Sequence, residues 1–343
     1  MFRNKTLATV LALLLAISMV FAGCNNTPAP AQSQGEQPSQ SQSGGSSAPE
    51  AEAVDRYAEI MDTSGDADKL TVRFFRMQKP KGSETKSGDS ALITFPDGKV
   101  MLVDASSHEC GPDVVQYLKD MGITKLDAVM ASHPHIDHIG GIPIVLESFE
   151  VGEFYRSKLV YDTNTYHKFE SSIADKGIPV TFLAEGDEFD FGGAHIKIYN
   201  PEQEIPYKGG DADKDTQFIN NNSIAMKITY GKSSLFMAGD LYAPGENRIM
   251  EQYGDELQCG LMKADHHGDD TSNSRKFIET IKPTYVAAMH DGIASLDVYR
   301  AFTKRDATMY LSSVDGIIKF QGDMDGNYTA MTQFDRPANS MLK

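Results

Sequence analysis

Three histidines and one aspartate fall within six residues of this chain, in Ser132-His133-Pro134-His135-Ile136-Asp137-His138-Ile139-Gly140-Gly141. Imidazole and carboxylate groups are the usual protein ligands of zinc and similar divalent ions. His133 and His135 share one side of an extended segment, while Asp137 and His138 turn elsewhere, toward a second ion. One ion could scarcely use all four donors without strain, so the spacing predicts two. Five of the nine histidines lie in this cluster or in the pair His266-His267, which argues against an incidental polar loop. Asp240 follows the apolar run Ser234-Leu235-Phe236-Met237-Ala238-Gly239. A carboxylate at such a strand end can bridge two cations. One of His266 and His267, again placed after an apolar stretch and before Gly268, should supply a further ligand.

These donors need rigid elements behind them. Leu126-Asp127-Ala128-Val129-Met130-Ala131 reads as a buried strand that delivers the histidine cluster. Ala91-Leu92-Ile93-Thr94-Phe95, Pro96-Asp97-Gly98-Lys99 and Val100-Met101-Leu102-Val103-Asp104 read as strand, tight turn, strand. Residues 113–121 form an amphipathic helix closed by Gly122, and further strands are predicted at 70–76, 179–183, 194–199, 223–230, 234–238 and 285–289. Pro112, Pro143 and Pro244 sit near element starts. Hairpin strands, then a helix, then another strand recur loosely around residue 180, which implies two facing sheets of a layered α/β protein.

The order His-x-His-x-Asp-His, Gly-Asp, His-His-Gly resembles the metallo-β-lactamase superfamily. It is most similar to the branch holding the ComEC metallo-hydrolase domain and the surface phosphorylcholine esterases. The Asn220-Asn221-Asn222-Ser223 run and the segment from Lys263 to Gly268 carry the resemblance to that branch, and the likeness spans about residues 69–330. It implies a four-layer αββα sandwich. It also implies metal ligands His133, His135, Asp137, His138, Asp240 and His266. His267 would act at the substrate, as an acid. Two departures stand out. Residues 78–90 form an insertion where the branch has a compact Gly-Gln-Gly-Asp turn, with Gly88-Asp89-Ser90 as its remnant. The lone histidine that many members carry before Gly-Asp is also missing, because His195 alternates with apolar neighbours and faces outward.

The N-terminus sets the compartment. Arg3 and Lys5 precede an apolar run at 7–22 that is too short for a comfortable membrane span and ends in small residues, as a signal peptide does. Phe21-Ala22-Gly23-Cys24 resembles the lipobox of bacterial lipoproteins, with Phe in place of the usual Leu. Residues 1–23 are therefore expected to be removed, Cys24 lipidated, and 24–54 a flexible Ser, Gln, Pro and Gly tether ahead of one hydrolase domain at 55–343. The expected location is extracytoplasmic, on the cell membrane through this lipid anchor. Removing Arg3 and Lys5 from the 32 basic residues leaves 30 against 48 acidic ones, a formal net charge of −18. That charge disfavours nucleic acid as a partner without excluding it, since two divalent ions reverse the sign locally. Cys110 and Cys259 could pair in an oxidising compartment but make no disulfide framework.

The expected activity is metal-dependent hydrolysis of a phosphodiester, in a small molecule or a wall polymer. Two divalent ions would activate a bridging water, zinc by default with manganese fitting nearly as well. Asp137 would both hold metal and orient the nucleophile, while Asn222, Thr271 and His290 would contact substrate. Two alternatives remain open: lactam, amide or other ester opening on the same site, and a lipoprotein that binds a ligand without catalysis. Structural zinc sites are closed and four-coordinate, which weighs against the last.

Overall fold

The computed structural model describes residues 54–337, Ser340 and Leu342. The strands are β1 (Leu70–Phe74), β2 (Ala91–Thr94), β3 (Val100–Val103), β4 (Lys125–Met130), β5 (Glu150–Arg156), β6 (Val180–Phe182), β7 (Glu188–Phe191) and β8 (Ala194–Asn200). They continue with β9 (Ala225–Tyr230), β10 (Ser233–Met237), β11 (Leu261–Lys263), β12 (Tyr285–Ala288), β13 (Thr308–Leu311), β14 (Ile318–Gly322) and β15 (Tyr328–Thr332). One sheet runs β15-β14-β1-β2-β3-β4-β5-β6 and the other β13-β12-β11-β10-β9-β8-β7.

The two sheets are built alike. Each half opens with antiparallel strands, β1 to β3 or β7 to β10, and then continues through parallel ones, β4 to β6 or β11 to β13. The C-terminal hairpin β14-β15 returns to pair with β1. The turn between β2 and β3 shows how sequence sets this locally. Gly98 takes φ 92°, Asp97 accepts the Lys99 N–H, and Phe95 N–H closes onto the Lys99 carbonyl at 2.8 Å.

Three apolar cores define four layers. Val72, Ile93, Met101 and Met130 of the first sheet meet Ile196, Ile228, Leu235 and Ala287 of the second. The outer face of the first sheet packs on helices Gly111–Asp120, Ile142–Ser148 and Asn164–Lys176. That of the second packs on Ala243–Tyr253, Arg275–Ile281 and Leu296–Thr303. The result is the αββα sandwich. Pro112, Pro143 and Pro244 each lie in the first turn of a helix, where a missing N–H costs nothing. Cys110 and Cys259 are free thiols buried in different outer cores, so no bridge joins them.

The parallel strands matter most for function, because their carboxyl ends reach one rim. Asp104 leaves β3 there, the Ser132–His138 run leaves β4, Asp240 leaves β10, and Asp265–Gly268 follows β11. Ligands of open α/β sheets characteristically gather at that edge.

Candidate metal centre

The first motif is held from below by Asp104. This residue takes φ 58°, a left-handed conformation that a non-glycine residue adopts at some cost. Its carboxylate accepts the Ser132 N–H at 2.8 Å, the Ser132 hydroxyl at 2.7 Å and His138 Nδ1 at 2.8 Å. With Nδ1–H committed to Asp104, His138 presents the Nε2 lone pair to the rim, the arrangement metal-binding imidazoles require. His133 and His135 flank Pro134, and His135 is extended at ψ 150° just before the short helix Ile136–Ile139. Asp137 and His138 occupy that helix and so diverge from one another. Gly141 makes the close packing feasible, since a Cβ there would lie 2.1 Å from the Ala105 carbonyl oxygen.

Asp240 is the hub. Gly239, at φ 56°, turns the chain so that Asp240 Oδ2 sits 3.3 Å from both His138 Nε2 and His267 Nε2. The same oxygen lies 3.8 Å from His133 Nε2 and 3.9 Å from His266 Nε2. Two donor groups therefore share Asp240: His133 with His135, and His138 with His267 and Asp89. Asp137 Oδ2 joins the second group at 3.3 Å from His267 Nε2.

The two histidines after β11 stand at different depths. Both residues are left-handed, at φ 45° for His266 and 58° for His267, so adjacent side chains are driven apart. His267 is the inner one, 2% exposed, with Nδ1 at 2.9 Å from Asp89 Oδ1 and Nε2 facing Asp137 and Asp240. His266 stands nearer the mouth, its Nδ1 2.6 Å from Thr271 Oγ1, whose hydroxyl in turn donates to Asp269 at 2.9 Å. Burial lowers the His266 pKa to about 4.

Asp89 lies within reach of the second donor group, but its carboxylate is already held by two partners. Its Oδ2 is 2.6 Å from the Lys263 ammonium and its Oδ1 is taken by His267, so both oxygens are engaged. Burial works to raise its pKa, yet Lys263 and His267 hold it at about 2. Gly88 lets this segment lie flat on the first motif, because a Cβ there would fall 1.7 Å from the Asp137 carbonyl oxygen. Lys263 is fully buried, also donating to the Gly239 carbonyl at 2.8 Å, and stands 3.9 Å from Asp240 Oδ1.

This donor set fits divalent metal. His138 Nε2, His267 Nε2 and Asp240 Oδ1 are buried and have no hydrogen-bond partner in the protein. Each such orphan costs roughly 1–3 kcal/mol unless something satisfies it, and the two imidazole nitrogens both face Asp240 Oδ2 at 3.3 Å. The electrostatics agree. Although burial opposes it, Asp240 and Asp104 push His138 well above its ordinary pKa, and Asp240 and Asp89 do the same to His267. The carboxylates demand positive charge at this point. The donors are nitrogen and oxygen only, since both described thiols lie in the cores.

The remaining expected residues are spread around the rim. The His290 ring is half-buried with its centroid 6.0 Å from that of His267, and its Nδ1 accepts the Gly292 N–H. Thr271 is spent on His266. Asn222 does not face the donors: it lines a separate cavity of about 410 Å³ and donates to the Phe218 carbonyl. His195 is exposed on β8 beside Asp190, outside the centre. The metal-facing cleft, about 500 Å³, is lined instead by Lys86, His135, Tyr161, Thr165, Asn220 and His266 among others. Sequence reasoning assigns no site role to Asp104 or Lys86, and it marks Asp89, Lys263 and Asn220 only as parts of motifs tied to the resemblance. Asp104 had a signal, an aspartate directly ending an apolar strand as Asp240 does, and so had Lys263, a lone lysine within one.

The comparisons accord with this geometry. The chain is 25% identical over 170 residues to ComE operon protein 3 of Bacillus subtilis, covering 50% of this chain and 20% of that protein. It is 23% identical over 201 residues to competence protein ComA of Neisseria gonorrhoeae, covering 59% and 25% respectively. The match thus spans a fifth to a quarter of those relatives. Among solved structures, the metallo-beta-lactamase fold protein YhfI from Bacillus subtilis aligns over 77% of this chain and 99% of its own, with 14% identity and a TM-score of 0.46. A family model described as the metallo-beta-lactamase superfamily matches residues 85–290, more than half of the sequence. The chain belongs to the metallo-beta-lactamase superfamily of metal-dependent hydrolases.

Proposed function

We propose that this protein is an exported, lipid-anchored phosphodiesterase working with two divalent ions, zinc by preference and manganese as the alternative. The observation that carries the reading is the pair of buried donor groups meeting at Asp240, with the unpartnered Nε2 atoms of His138 and His267 both turned toward that carboxylate. We assign His133 and His135 to one ion and Asp137, His138 and His267 to the other, with Asp240 shared. We give the ligand role to His267 and leave His266 to the substrate side; the 3.3 Å approach of His267 Nε2 to Asp137 and Asp240, against 3.9 Å from His266 to Asp240, supports this. Ions bound there would supply Lewis acidity and a water deprotonated near neutral pH.

The cleft supports an anionic, oxygen-rich substrate. Its lining includes the carboxylates of Glu84, Asp137 and Asp240, which bound cations would offset, together with Tyr161, Thr163, Thr165, Thr216 and the exposed Lys86. The Lys86 charge is felt at His135 and His266. These groups suit phosphoryl oxygens better than the apolar body of a lactam. Among the described residues no helix is long and apolar enough to cross a membrane. Attachment would rest on Cys24, which lies outside the described residues.

The deciding experiment offers metal-loaded full-length protein four substrates: bis-p-nitrophenyl phosphate, p-nitrophenyl phosphorylcholine, single-stranded DNA and a chromogenic cephalosporin. Turnover of one or both small phosphodiesters is expected. Opening of the cephalosporin with the phosphodiesters untouched would assign the site to amide chemistry. Two bound ions with no turnover at all would favour the ligand-binding alternative.

A further inference from the structure

Four asparagines, the last residue of β8 and three ahead of β9, stand in this part of the chain, and three of them have hydrogen-bond partners. Asn200 donates to the Asn221 and Ser223 carbonyls, Asn221 accepts the Gly245 N–H at 3.1 Å, and Asn222 donates to the Phe218 carbonyl at 2.8 Å. Asn220 differs. It lies in the helix Thr216–Asn221, lines the metal-facing cleft with His135, Asp240 and His266, and is 1% exposed. Neither its amide nitrogen nor its amide oxygen has a hydrogen-bond partner in the protein. A buried carboxamide left unpaired is costly, and in a native protein it calls for a specific reason.

We propose that Asn220 is a substrate-binding residue whose amide N–H donates to a non-bridging phosphoryl oxygen; this rests on the phosphodiester reading above. A neutral donor suits the position. A cation placed among Asp137 and Asp240 would compete with the metal ions for those carboxylates, and the buried cation Lys263 is already committed to Asp89. Lys86 is exposed, so it can draw an anion in but cannot fix one oxygen inside the cleft. Asn220 supplies direction without charge. Such a donor acts most strongly where charge develops on the oxygen during reaction.

The test uses full-length metal-loaded protein, with Asn220→Ala and the near-isosteric Asn220→Asp, which guards against a folding defect from truncation. Inorganic phosphate is the binding probe, read by calorimetry, and bis-p-nitrophenyl phosphate is the turnover probe. Asn220→Ala should weaken phosphate binding about tenfold and lower kcat roughly 100-fold, with both ions retained by elemental analysis. Asn220→Asp should bind phosphate more weakly still, because a carboxylate cannot donate and repels the anion. Three results would overturn the assignment: phosphate that fails to bind the parent protein, equal phosphate affinity in parent and Asn220→Ala, or loss of an ion in Asn220→Ala, which would make the amide oxygen a ligand. Asn220-dependent phosphate binding without phosphodiester turnover would instead sink the parent reading and leave the donor in place.

Discussion

At the scale of single residues, three histidines of the centre are fixed by a carboxylate or hydroxyl behind them. Asp104 backs His138, Asp89 backs His267, and Thr271 with Asp269 backs His266. Such partners set the tautomer and aim the remaining lone pair. The depth of the partner separates the last two rings. His267 faces two carboxylates at 3.3 Å, whereas His266 approaches Asp240 only to 3.9 Å. His267→Ala is therefore expected to lose one of two metal ions along with activity. His266→Ala should keep both ions and lower phosphodiester turnover tenfold or more. Elemental analysis and kinetics on the two variants, matched in folding by circular dichroism, check this. If His266→Ala empties a site while His267→Ala stays metallated, the assignment is reversed. The contiguous candidate donors of the first motif were legible in the sequence because spacing alone records them. Asp104, and the contacts that Asp89 and Lys263 make, were not, because these residues come from distant segments that meet only once both sheets are folded.

At the scale of elements, strands with uninterrupted apolar runs declared themselves, and those without did not. β4 and β10 fall where periodicity places them. β5 was hidden by Glu150, Gly152 and Glu153; Gly152 is needed because a Cβ there would lie 2.7 Å from the Asp127 carbonyl oxygen of the neighbouring strand. β7 was hidden by brevity and by two acidic residues in four. Helix docking has its own device. Glu246, in helix Ala243–Tyr253, is fully buried and accepts the backbone N–H groups of Asn273 and Ser274, the lead-in to helix Arg275–Ile281. Burial raises its pKa from 4.5 to about 7, with those N–H groups opposing. A folded-state pKa above the unfolded one means that the proton is held more tightly in the folded protein. The contribution to stability is thus complete below about pH 4.5 and is lost as pH rises through about 7. Glu246→Gln keeps an acceptor oxygen and removes the titration. Relative to the parent, it should gain up to roughly 3 kcal/mol between pH 5 and pH 8 in urea unfolding. An equal difference at both pH values would show that Glu246 does not titrate in that window.

At the scale of the whole molecule, an acidic chain of net charge −16 gathers Asp89, Asp104, Asp137 and Asp240 at its candidate metal centre. Only locally bound cations make that rim hospitable to an anion. Its expected place outside the membrane rests on Cys24: comparing the full chain with Cys24→Ser after membrane fractionation should move the protein from the detergent phase to the aqueous one. Equal partition of both forms would remove the lipid anchor from the proposal. The metal ions should also act on the sandwich itself. His133, Asp137 and His138 follow β4 of one sheet, whereas Asp240 and His267 follow β10 and β11 of the other. Ions held by both sets would cross-link the two sheets at the rim. They would also neutralise carboxylates that otherwise repel one another across it. A ligand bound only by the folded state stabilises it in proportion to the logarithm of its saturation, about 2.7 kcal/mol at a hundredfold excess over Kd. Chelation should therefore lower the melting temperature by several degrees, and zinc or manganese should restore it. Asp240→Asn, which weakens the shared ligand, should melt below the metal-loaded parent and respond little to chelator. If the parent melts at one temperature with and without chelator while elemental analysis confirms that the ions have gone, the metals would serve chemistry alone, and the two sheets would be joined by the apolar core between them.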